Sequence, residues 1–262
     1  MKRRLPFIAV NLAGAAAFTA PFLLGLAADS GQPRSADAPW LLALLAPMLV
    51  LVAISEAGHE KMSSKSVALL GALAACAAVL RLPLSFAGAN LFFFLPIAFG
   101  FVFGSSFGFL LGSLAMAASA IITGGIGPWL PFQMWAAGWV GAGAGMLQPL
   151  ARRWRTGRPG QLSAYLPVVI LAGYGFLAAF FFGAAMNLYF WPVAFRGDGP
   201  LAWSPGLGLT QTFRHYAAFY AVTSFGWDLI GGIANLGVIL LVGKPVIDLF
   251  VRYQKRFECV YD

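Results

Sequence analysis

Charge is what this sequence has least of. Asp, Glu, Lys and Arg make up 10% of the 262 residues, against 60% hydrophobic, where a soluble domain carries about 25% charged residues. That little polar surface cannot cover a globule in water, so a soluble enzyme and a disordered chain are poor fits. Cysteine is nearly absent as well. Cys76 sits within an apolar stretch and Cys259 in the tail, and neither has a neighbour at metal-ligand spacing, which argues against a disulfide scaffold or a cysteine metal site. Histidine is limited to His59 and His215, and the patterns H-E-x-x-H and G-x-S-x-G do not occur. Gly243-Lys244 comes nearest to a phosphate-binding loop. Val238, however, stands where its first glycine is required, and Pro245 replaces the Ser or Thr. A non-catalytic protein is expected, with no metal or cofactor and with no ATP hydrolysis of its own.

What the chain does have is long apolar runs. The 31 glycines and 16 prolines have no collagen-like period and fall inside these runs, where membrane helices tolerate them. The net charge of +8 comes from basic residues lying between the runs, so phospholipid head groups are their expected counter-charge and nucleic acid is not. A helix crossing the hydrocarbon needs roughly 20 apolar residues. The runs are Leu5–Ala28, Trp40–Ser55, Val67–Leu80, Leu91–Phe103, Phe107–Thr123, Phe132–Leu147, Ala164–Phe190 and Tyr216–Val242. An all-α polytopic bundle of about eight transmembrane helices follows. The open step is Leu91–Thr123, either one long helix or a hairpin through Gly104-Ser105-Ser106.

Basic residues decide that step. With the hairpin and a cytoplasmic N-terminus, 13 Lys and Arg lie inside, leaving Arg34, Arg81, Arg196 and Arg214 outside. Merging the hairpin inverts everything after it and gives 7 inside to 10 outside. Basic residues flanking spans favour the cytoplasm, so the hairpin is expected and both termini are cytoplasmic. Lys2-Arg3-Arg4 followed by apolar residues resembles a signal peptide, but the stretch is about twice the usual signal core of roughly 7–15 residues, and a retained helix is expected. The charged loop Glu56–Lys61 divides a two-helix unit (1–60) from a six-helix remainder (61–262).

Small residues recur at helix-packing spacing: Gly100, Gly104, Gly108 and Gly112 lie four apart, as do Ala137, Gly141 and Gly145, with Ala68 and Ala72 a similar pair. In lipid such faces let backbones approach closely. The outward segment Gly124–Gln133 combines three glycines, two prolines and Trp129, which predicts a bent, non-helical backbone. Such backbone sits at membrane depth only when buried in protein or lining a cavity. Gln133 beside it is placed to hydrogen-bond a ligand; the alternative is an interfacial turn with Trp129 in the aromatic belt. Asn187 lies near the outer end of the seventh span, and Asp228 and Asn235 lie seven apart in the eighth. Intramembrane polar groups line cavities or pair internally. Asp228 either contacts ligand or pairs with Arg81 or Arg214.

Phe92–Leu147 has Leu-Pro near the start of a span, a Phe-Gly hairpin, a Gly-rich helix, a Gly-Pro-Trp outer turn and another small-residue helix. In this it resembles the substrate-binding S component of energy-coupling-factor (ECF) vitamin transporters. Lys65–Leu80 looks like the first core helix of that family, and Trp227–Phe257 like its last helix and basic tail, so the resemblance covers residues 61–262. It implies a prokaryotic cell-membrane subunit. Such a subunit captures a vitamin from outside and delivers it through a transmembrane coupling subunit energised by two ATPase subunits. Carried onto this chain, the pocket residues are Asn90, Trp129, Gln133, Asn187, Trp191, Trp227, Asp228 and Asn235, and Ala68 and Ala72 match the pair facing the coupling subunit. The turn Gly127–Gln133 looks most like family members that take corrinoids such as cobalamin; riboflavin, queuosine precursors or another vitamin are the alternatives. The other function classes are a membrane scaffold or accessory protein and an ion-driven secondary transporter. The latter is disfavoured because the spans hold few ionisable groups and the two halves show no repeat.

The charge placement has a direct consequence. Alkaline phosphatase fused after Gly199 should be active in the periplasm of a host cell, and fusion after Arg158 should be inactive. The opposite pattern would overturn the hairpin topology.

Overall fold

The computed structural model describes residues 5–23, 38–57, 64–82, 91–149, 161–204 and 206–258. Among them the secondary structure is helical, with no strand: α1 (Leu5–Leu23), α2 (Ala38–Ala57), α3 (Ser64–Leu80), α4 (Phe94–Phe103), α5 (Ser105–Thr123), α6 (Leu130–Met146), α7 (Gln161–Ala194), α8 (Leu209–Thr223) and α9 (Phe225–Glu258). Three of these contain stretches long and apolar enough to cross a membrane: Ser105–Thr123 in α5, Tyr165–Ala194 in α7 and Phe225–Tyr253 in α9. The helices carry apolar residues all round rather than on one stripe. Ile121, Leu177, Ile233 and Leu241 are more than half exposed, a pattern suited to a lipid solvent.

The chain turns between α4 and α5 at Gly104, whose φ of 100° is a conformation that side chains with a Cβ rarely adopt. A hairpin, not one long helix, therefore occupies this region. The two small-residue runs meet in antiparallel register: Gly112 lies against Ala137, Gly108 against Gly141, and Gly145 against Gly104 and Ser105. Gly100 of α4 joins the same contact with Gly141. A Cβ on Gly141 would collide with the backbone of Gly108, so no rotamer change could relieve it. Ser113 is buried at this seam and donates to the Met134 carbonyl at 2.9 Å, as an enclosed hydroxyl must when no water is present.

The second seam joins α7 and α9. Gly183 lies against Asp228, Phe176 against Gly232, and Gly175 against Asn235 and Ile239, so these helices are also antiparallel. α8 is a separate, shorter helix. The apolar run Tyr216–Val242 is broken at Ser224, which caps α8 in a non-helical conformation (φ −128°). The hydrophobic run continues across this corner because α8 packs Phe219 against Trp191 and Trp203, and apolar content alone does not reveal the break.

The N-terminal helices share the main core: Val10 and Phe18 of α1 and Leu45, Leu49 and Val52 of α2 belong to the same buried cluster as α4–α6. α1 is held by hydrogen bonds as well. The Trp135 indole donates to the Val10 carbonyl at 2.9 Å, and that of Trp139 to Asn11 Oδ1 at 2.7 Å. Gly14 lets the Trp135 ring lie against α1.

The glycine seam makes a prediction. Gly141→Ala should lower stability by about 1–3 kcal/mol, the usual cost of overpacking, read as a lower melting temperature in detergent. Gly71→Ala, where an added Cβ meets nothing within 4 Å, should not. Equal melting temperatures for both variants would show that the seam tolerates separation.

Candidate functional site

A bend delivers the site residues. α5 ends at Gly124 (φ 65°) in the left-handed conformation, a common way to stop a helix. The non-helical turn is shorter than the Gly124–Gln133 expected from composition. α6 already begins at Leu130, with Pro131 in its first turn, a position where proline's missing N–H and fixed φ favour a helix start. Gln133 therefore stands on a rigid helix. Trp129 caps that helix, and its indole N–H donates to the Gly125 carbonyl at 3.1 Å. With the N–H committed to the turn, the ring packs over Gly127.

Across from the turn, the C-terminal half of α7 presents Met186, Asn187, Tyr189 and Phe190. Together with Trp129 and Gln133 they line a partly open cavity of about 340 Å³. Phe132 and Tyr189, with ring centres 4.4 Å apart, join α6 to α7 at this level, and Phe18 packs on Phe132 at 4.9 Å. Asn187 is 9% exposed, and its Nδ2 donates to Ser224 Oγ at 2.7 Å. Its carbonyl oxygen and second N–H remain available. Among the described residues, the lining contains two amides, three aromatic side chains and a thioether, and no charged side chain.

The other expected residues take different positions. Asn90 lies outside the described residues. Trp191 is fully buried beside the cavity rather than in its lining. Its indole donates to the Leu201 carbonyl at 2.8 Å, and its ring packs among Phe22, Tyr216 and Phe219. It anchors the connection from α7 to α8, where Trp203 N–H also donates to the Phe195 carbonyl at 2.7 Å and Arg196 stands over the Trp203 ring. Trp227 is 57% exposed on α9. Asn235 is 2% exposed and donates to the Gly175 carbonyl of α7 at 3.1 Å. Asp228, in the first turn of α9, accepts from the Tyr220 hydroxyl at 2.7 Å, and the helix N-terminus adds a favourable dipole. Its partner is thus a tyrosine of α8 rather than Arg81 or Arg214. Arg81 instead donates to Ser119 Oγ at 3.2 Å, and burial pushes its guanidinium below the ordinary value.

Trp129, Gln133 and Asn187 come together in the cavity. Asp228 and Asn235 share the α7-facing side of α9, and Trp191 sits in a neighbouring aromatic cluster. Met186, Tyr189 and Phe190 are lining residues that composition does not single out. Their only signal is that they flank Asn187 on one helix. Ala68 and Ala72 are exposed on α3, alongside Gly71, Ala75 and Cys76, while Leu70, Leu73, Ala74 and Ala77 face the core.

The fold is all-helical, with apolar helices of membrane-crossing length, and is consistent with a helical membrane protein. Compared with protein-family models, with curated proteins and with solved structures, the chain matches none.

These placements separate two kinds of polar residue. Asn235→Leu removes the donor to Gly175 and should lower the melting temperature with any cavity ligand's affinity unchanged. Gln133→Leu should leave the melting temperature within a degree or so, since among the described residues its amide makes no hydrogen bond that would be lost. Equal destabilisation by both would assign Gln133 a structural role.

Proposed function

We propose that this chain is a substrate-capturing membrane subunit of an ECF-type importer, taking a vitamin or related micronutrient from outside the cell. The observation that best supports this is the cavity shared by Trp129, Gln133 and Asn187. Three residues selected for ligand contact, 58 positions apart at the extremes, line one space near the same end of α6 and α7. In this reading the chain crosses the prokaryotic cell membrane about eight times, with both termini in the cytoplasm. The pair α1–α2 precedes a six-helix S-component-like core. Trp191, Asp228 and Asn235 act around the cavity by holding α7, α8 and α9 in place.

Delivery requires partners, because this sequence has no phosphate-binding loop. A transmembrane coupling subunit docks on the exposed Ala68–Ala72 face of α3, where small side chains let a partner helix approach closely. Two ATPase subunits supply the energy. The likeness of the Gly127–Gln133 turn makes a corrinoid the first ligand to test.

Purified protein should bind its ligand without ATP or partner subunits, as read by calorimetry against a vitamin panel. A folded protein that binds no member of the panel would overturn capture and favour a membrane scaffold. Ala72→Trp should abolish uptake in cells expressing the whole transporter and leave binding by the purified subunit within about twofold. Undiminished uptake would remove the docking face from the proposal.

A further inference from the structure

Three surfaces outside the cavity offer little chemistry for recognition. The exposed small-residue face of α3 is already assigned above. The Asp228–Tyr220 pair is internally satisfied and packed on Gly183. The apolar outer side of α8, with Leu209 at 90% and Phe213 at 73% exposure, says little beyond contact with lipid. The cavity itself carries more, because its chemistry constrains what it can hold.

Charge comes first. Among the described residues, the six lining side chains include no Asp, Glu, Lys, Arg or His. The Asp228 carboxylate is engaged elsewhere, accepting from Tyr220 and lying against Gly183. An ion buried against these six side chains would lose hydration with no counter-charge from any of them, which is costly. A neutral ligand enters without that penalty.

Shape and hydrogen bonding come next. Ligand pockets run from about 300 to 1,000 Å³, and about 340 Å³ is near the lower bound. It holds a bicyclic or tricyclic ring system, whereas a corrinoid macrocycle is several times larger. Trp129 and Phe190 are each partly exposed, and Trp129 presents its ring with the indole N–H already committed to Gly125. The free polar capacity is amide only: the whole of Gln133, and the carbonyl oxygen and one N–H of Asn187. A side-chain amide offers a donor and an acceptor side by side, and its best complement is a ring edge with an acceptor beside a donor. That is how Asn and Gln read adenine in a bidentate pair.

We infer that the cavity is a site for a neutral, planar nitrogen heterocycle of two or three rings with an amide-type edge. The ring stacks on Trp129, and its donor–acceptor edge is read by Gln133 and Asn187. This rests on the cavity being the capture site, and it narrows the ligand class below the size of a corrinoid.

The test uses full-length protein in lipid nanodiscs and calorimetry with hypoxanthine, pterin and lumichrome. Thiamine serves as a cation, nicotinate as an anion and cyanocobalamin as the large ligand. At least one of the first three should bind about tenfold or more tightly than the other three. Gln133→Leu should weaken that binding by about tenfold or more, the effect of leaving a buried polar edge unpaired, with an unchanged melting temperature. Gln133→Asn should restore part of it. Tighter binding of cyanocobalamin, thiamine or nicotinate would overturn the inference and leave vitamin capture standing. So would neutral-ring binding that ignores Gln133→Leu. Silence across all six compounds would remove both.

Discussion

Everything at the candidate site depends on how closely α5 and α6 approach. Gly108 and Gly141 put backbone against backbone, flanked by Gly112 on Ala137 and Gly145 on the Gly104 turn. In lipid, burying apolar surface adds no driving force between helices, so association depends on packing and hydrogen bonding at short range. Glycine supplies that range. The seam fixes the direction of α6, and with it Trp129 and Gln133 at its N-terminal end. A wider seam would shift both relative to α7 and reshape the cavity.

The α7–α9 seam works by a different means. Here polar groups find partners between apolar helices: Asn235 donates to the Gly175 carbonyl of α7, Asp228 accepts from the Tyr220 hydroxyl of α8, and Asn187 donates to Ser224 at the α8–α9 corner. Asn187 belongs to this seam through one N–H and to the cavity through the rest of its amide. Ser224 therefore couples the corner between α8 and α9 to the cavity wall. The intramembrane polar residues divide by partner. Asn235 is closed off, whereas Asn187 keeps hydrogen-bonding capacity to offer.

The N-terminal helices are tied into the same body. Two tryptophans of α6 donate to α1, and an indole N–H left without an acceptor in an apolar core costs about 1–3 kcal/mol. Phe22 extends α1 to the Trp191–Trp203 cluster. α1 thus braces both α6 and the α7–α8 connection, the two elements flanking the cavity.

Much of the fold was legible in the sequence, because the constraints that produce it are local. Apolar runs mark helices, the four-residue glycine spacing marks close-packed faces, and Gly104 marks a turn. Part of the site was legible for the same reason: Gln133 and Asn187 are amides in otherwise apolar runs, where such residues are costly without a role. The break at Ser224 was hidden because Tyr216–Val222, the C-terminal part of α8, is apolar and runs on into the apolar start of α9. The partner of Asp228 was hidden because any of several groups could have met it. By itself, the sequence determined an all-helical chain suited to lipid, the α4–α5 hairpin and the small-residue faces, since composition and short-range spacing decide these. Only the tertiary structure decided that Trp129, Gln133 and Asn187 face one cavity while Trp191, Asp228 and Asn235 serve the packing around it. That division depends on the rotation of each helix against its neighbours, which long-range packing sets.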